Sequence, residues 1–175
     1  MPEPVPTLEQ ARQLISQVYG PNRRFSIRES RQGWVCQDIL TPEQARQYGL
    51  GLGSLMINKH TGVITSHSSL PPEVTAEMFD AAIEAGNRAP GFQVYPKQHR
   101  IHLTQLSETE NTIEYQVRQT DLGNPRSPEL TLQMQITKQP IRHQPSDRLA
   151  AEATSWAYDQ ARRTGTWPQE GSFER

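Results

Sequence analysis

Residues 49–73 read GLGLGSLMINKHTGVITSHSSLPPE, and the fold is decided there. Leu55, Met56 and Ile57 make an unbroken apolar run, the pattern of a strand covered on both faces. Asn58 to Gly62 supply turn chemistry, with Gly62 where a positive φ is tolerated, and Val63 to Thr65 return as the partner strand. Ser68 and Ser69 then lead to Pro71 and Pro72, which suit the first turn of a helix beginning near Glu73.

Upstream of this unit, Thr7 and Gln10 have the spacing of a capping box, and Leu8, Ala11, Ile15, Val18 and Tyr19 share one face of the helix that follows. Gly20-Pro21 stops it. Phe25 and Ile27 alternate with polar residues, Arg31-Gln32-Gly33 turns the chain, and Trp34 to Ile39 completes a hairpin. Thr41-Pro42-Glu43 starts a short helix before the glycines. Downstream, the helix from Pro72 to Ala85 places Val74, Met78, Ala81, Ala82 and Ala85 on one side, expected to face the core, with Phe79 and Ile83 widening the stripe. Asn87 to Gln98 reads as a connecting loop.

Beyond it, Ile101 and Leu103, then Ile113, Tyr115 and Val117, then Leu130, Leu132, Met134 and Ile136 alternate with polar residues, as in an antiparallel sheet with one wet face. Ser146-Asp147 caps a last helix whose inner face holds Leu149, Ala153, Trp156 and Ala157, and the tail after Trp167 is expected to fray. The expectation is a single α+β domain over 1–175. In it an antiparallel sheet of hairpins packs against N-terminal, middle and C-terminal helices, and residues 99–165 extend the same sheet.

Trp34-Val35 in a strand, SLMINKHTG, VITSHSS and PPE together resemble the YrhB-like family of small bacterial proteins, which includes immunity proteins of polymorphic toxin systems. The resemblance spans about residues 8–86. It implies an α+β unit that binds a cognate toxin rather than turning over a substrate, and it is silent on the C-terminal half.

The composition narrows the alternatives. Lys and Arg total 18 against 19 Asp and Glu, so the overall field gives no support to nucleic acid or an anionic membrane as partner. Apolar residues make up 34% of the chain and mean hydropathy is −0.75, yet they cluster in periodic segments, which indicates a folded protein with a very polar surface. One cysteine, Cys36, excludes an internal disulfide framework and fits a reducing compartment; with no apolar run near membrane-spanning length, the expected location is cytoplasmic.

No cofactor is expected. GLGLG lacks the Gly-Lys-Ser/Thr end of a phosphate loop and opens a strand, so its glycines read as conformational. His99 and His102 fall on opposite faces of a strand, and nothing nearby completes a metal site. Cys36 sits in an apolar strand as a small hydrophobe, and the serines lack a nucleophile elbow. Arg23, Arg24, Arg28 and Arg31 cluster around the first hairpin, enough for an acidic partner. The candidate partner-binding residues are Glu73, Glu77, Asp80 and Glu84, whose spacing puts them on one helical stripe. Such a stripe suits a basic partner and steers encounter, although most charged stripes are simply solvated.

The leading expectation is an immunity protein that binds and neutralises a cognate toxin. The alternative is a secretion chaperone or adaptor for an effector, recognisable by an exposed apolar groove and commonly a dimer. A small enzyme using His and Glu ranks third, because no nucleophile and base are paired.

Overall fold

A computed structural model gives the architecture and describes residues 2–48 and 53–175. The glycine-rich reading at Gly49 to Leu52 therefore lies outside the described residues. The chain divides into two units, one ending at Pro96 and the other running from Lys97 to Arg175.

The first unit runs α1 (Leu8–Tyr19), β1 (Phe25–Glu29), β2 (Gly33–Asp38), α2 (Pro42–Tyr48), β3 (Leu55–Asn58), β4 (Ile64–Ser66), α3 (Pro72–Glu84) and β5 (Phe92–Tyr95). Its strands pair antiparallel in chain order, β1 to β5. The capping box forms as expected, with the Thr7 hydroxyl accepting from Gln10 N–H and the Gln10 side chain returning to the Thr7 backbone. On one sheet face Trp34, Cys36, Ile57 and Ile64 pack with Ala11 and Ile15 of α1. On the other, Val35 and Met56 meet Phe79 of α3. Strands β2 and β3 are thus covered on both sides, which is why their sequences are apolar without alternation.

The second unit runs β6 (His99–Glu108), β7 (Thr112–Asp121), β8 (Leu130–Lys138), β9 (Ile141–Gln144), α4 (Arg148–Thr164) and β10 (Glu170–Glu174). Its sheet order is β10-β6-β7-β8-β9, antiparallel throughout. Ile101, Leu103, Ile113, Tyr115, Val117, Met134 and Ile136 form a core with Leu149, Ala150, Ala153 and Ala157 of α4. Asp147 caps α4 through its carboxylate to Ala150 N–H at 2.8 Å, and Gly165 ends it in the left-handed conformation.

The α+β class matches the sequence reading, but the strands of residues 99–144 do not extend the first sheet. Among the described residues two five-stranded sheets form instead. The supposed loop 87–98 contains β5, which pairs with β4 and becomes an edge. On the other side β6 pairs with β7 and with β10, the stretch expected to fray. Gly171 lets β10 in: a Cβ there would run into the Trp156 indole.

Candidate partner-binding site

Helix α3 is rolled away from the orientation its sequence suggests. Thr75, Phe79 and Asp80 are its buried residues, whereas Val74 is 40% and Met78 51% exposed. The polar group on the inner face explains the roll. Asp80 is 3% exposed; its Oδ1 accepts from the Ser30 hydroxyl and the Gln32 N–H, and its Oδ2 from the Arg31 N–H, each at 2.9 Å. A carboxylate removed from water is tolerated only with such compensation, and the turn between β1 and β2 supplies it. The helix therefore turns its Asp80 edge to the hairpin, and the Val74 and Met78 edge goes to solvent.

The turn is satisfied from its other side as well. Ser30 Oγ accepts from Gly33 N–H at 3.1 Å, while Lys59 Nζ donates to Ser30 O at 2.6 Å and pairs with Glu29 at 2.8 Å. The same ammonium lies 5.0 Å from the centroid of the Trp34 ring, and His60 Nε2 meets Gln32 Oε1 at 2.9 Å. Gly33 is required at this spot, since a Cβ would lie 2.8 Å from Ile57 O and 3.0 Å from the Phe79 ring.

Glu73 and Glu84 fasten the two ends of α3 to the same hairpin. Arg28 Nη1 pairs with Glu73 Oε1 at 2.8 Å; Arg31 pairs with Glu84 through Nε at 2.7 Å and Nη2 at 3.2 Å. The Arg31 guanidinium, helped by the Gln32 amide, holds the Glu84 carboxyl below its ordinary value. Both pairs are solvent-exposed, so they orient the helix more than they stabilise it. Glu77 is exposed and has no salt bridge among the described residues. The basic cluster and the acidic stripe, separate features in the sequence, are thus largely each other's partners. Arg23 goes elsewhere, bidentate to Asp38 at 2.7 and 2.6 Å, with its guanidinium carbon 4.9 Å from the Tyr19 ring centroid.

Sequence reasoning missed Ser30, Gln32 and Lys59. The available signal was Asp80 itself, an acid directly following Phe79 in a helix that must bury part of its surface.

The cluster holds a helix on a hairpin, and its one hydroxyl–carboxylate contact, Ser30 to Asp80, serves that packing, with Asp80 only 3% exposed. Cys36 is fully buried and burial pushes its thiol up to about 12, so it stays protonated near neutrality. The half-buried His67 ring lies 2.9 Å from Thr65 Oγ1 and edge-on to Phe79, and burial holds its pKa below the ordinary imidazole value. Among the described residues no group of three or more His, Cys, Asp or Glu is placed to hold a metal ion, and no helix is long and apolar enough to cross a membrane.

No curated protein and no solved structure matches the chain. A family match does cover the clamped hairpin and the whole of α3, in agreement with the resemblance to bacterial immunity proteins: residues 7–87 match the family model of the Immunity protein 35-like domain.

Proposed function

We propose that this chain is an immunity protein that binds a cognate bacterial toxin, a secreted effector in competition between cells, and silences it by direct stoichiometric inhibition. The observation that carries the reading is the match of residues 7–87 to the Immunity protein 35-like domain, which falls within the first structural unit. Inhibition of this kind needs no turnover by the inhibitor: a preformed surface occupies the toxin's active site or blocks substrate access, with a few anchors giving most of the affinity. The cytoplasm is the expected place of action, and no cofactor takes part.

The acidic residues of α3 enter this proposal in unequal roles. Glu77 presents a carboxylate with no salt bridge among the described residues, Glu73 and Glu84 present carboxylates shared with Arg28 and Arg31, and Asp80 acts from within by holding the hairpin against the helix. A partner with a basic rim would be steered toward this edge, so association should slow as salt rises.

The test is co-expression in a bacterial host of the product of the adjacent reading frame, with and without this chain. Killing by the neighbour alone, relieved by this chain in a complex of fixed stoichiometry, is the expected result. A harmless neighbour, or protection without a complex, would sink the proposal.

A further inference from the structure

We propose that the outward face of α3, the row Val74, Met78, Ala81 and Ala85 edged by Glu77, is the surface that docks the toxin, and that it receives an apolar depression with a basic rim. The inference rests on the immunity reading above and goes on to name the contact face and the chemistry of its partner.

At about 100° per residue, Val74, Met78, Ala81 and Ala85 share one stripe that is turned away from the mean direction of the buried residues Thr75, Phe79 and Asp80. A helix on a protein surface ordinarily carries polar residues there. This one is apolar on both sides and puts its acids on one shoulder. Helix propensity accounts for the alanines, but not for Val74, a β-branched residue left 40% exposed. Nor is the roll incidental, because Asp80 at the centre and Glu73 and Glu84 near the ends fix it. Leu70, just before the helix, adds a further exposed apolar side chain at 39%.

Charge selects the occupant. Glu73, Glu77 and Glu84 all lie along one edge of the row, and Glu77 has no salt bridge among the described residues. Arg28 and Arg31 neutralise Glu73 and Glu84, so the edge carries the net charge of Glu77, and a second copy of α3 packed antiparallel across a two-fold axis would bring the two Glu77 carboxylates to the same side, like charge beside like charge. A partner that offers Lys or Arg beside an apolar hollow meets both features at once, and a single unpaired carboxylate at the rim is where charge affects encounter most.

The experiment uses the full chain and the product of the adjacent reading frame as the probe, with affinity measured by calorimetry and association by stopped flow. The double variant Val74→Asp/Met78→Asp should bind at least about 100-fold more weakly, as expected for losing central anchors. Met78→Leu should bind within about threefold of the parent, and Leu130→Asp, an equivalent change at a residue 54% exposed in the second unit, within about twofold. Glu77→Lys should slow association about tenfold at low salt and flatten its salt dependence. Circular dichroism and the unfolding midpoint of each variant show that it is folded.

Binding by the double variant within twofold of the parent overturns this proposal and leaves the immunity reading standing, because the parent still neutralises. A parent chain that neither binds nor protects overturns both. If the free chain sediments as a dimer that Met78→Asp dissociates, the row belongs to self-association and the proposal also falls.

Discussion

Asp80 and Glu77 are three residues apart on one helix, and their surroundings give them opposite work. Removing the Asp80 carboxylate leaves two backbone N–H groups without their acceptor and the Ser30 hydroxyl with only Gly33 O, at 3.2 Å, in a buried site. Asp80→Ala should therefore lower stability by roughly 3 kcal/mol, and Glu77→Ala by less than about 0.5 kcal/mol, measured as shifts of the urea midpoint. His67 gives the first unit a pH dependence. Its folded pKa lies below the ordinary value because burial disfavours the imidazolium. Protonation thus favours the unfolded chain, so stability is full above the unfolded value of about 6.5 and falls as pH drops toward the folded one. Unfolding at pH 7.5 and pH 5.5 should show the loss, and His67→Asn should reduce it. Glu84 adds the same sign at lower pH: Arg31 depresses its folded pKa, and that contribution disappears as pH falls through it.

Among the elements, β10 is where sequence and structure part most clearly. Its residues EGSFE have no apolar alternation strong enough to announce a strand, and only pairing with β6 makes them one. What holds them is tertiary: Phe173 stacks on Trp156 with centroids 5.7 Å apart, the Tyr115 hydroxyl donates to Pro168 O at 2.8 Å, and Arg175 reaches Gln119 at 2.8 Å and Glu152. Gly171→Val should cost about 2 kcal/mol, since its side chain needs the space of the Trp156 indole; hydrogen exchange should then show lost protection along β10 and β6. The elements read correctly beforehand, α1, the β3–β4 hairpin and α4, each carry their own signal in caps, turn residues and period. The orientation of α3 was not readable in that way. Apolar residues are as numerous on its outer face as on its inner one, and the inner face was chosen by the demand of one buried carboxylate for donors sitting 48 to 50 residues earlier in the chain. The candidate site was visible as two charged patches, but not as patches that neutralise one another.

At the scale of the whole molecule, each unit has its own hydrophobic core, and the larger of these clusters lies entirely within the second unit. Residues 1–96 and 97–175, expressed separately, should each give a folded circular dichroism spectrum and a cooperative unfolding transition. Noncooperative melting of either piece would show that its core does not suffice. Alternating patterns located β1, β6, β7 and β8, and an unbroken apolar run located β3, whereas β5 and β10 carry no such signal; pairing depends on which edges are left open, and that is not written in any local period. The hairpin that grips α3 near both ends and at its middle also has a consequence for the protein when it is alone. The helix has no freedom to roll and shelter its oily side, so Val74 and Met78 face water for as long as no complex exists. Under the docking proposed above, a partner would meet a surface already shaped. Exposed oily side chains also invite unspecific sticking, so the solitary chain should stay dispersed for less time as its concentration rises.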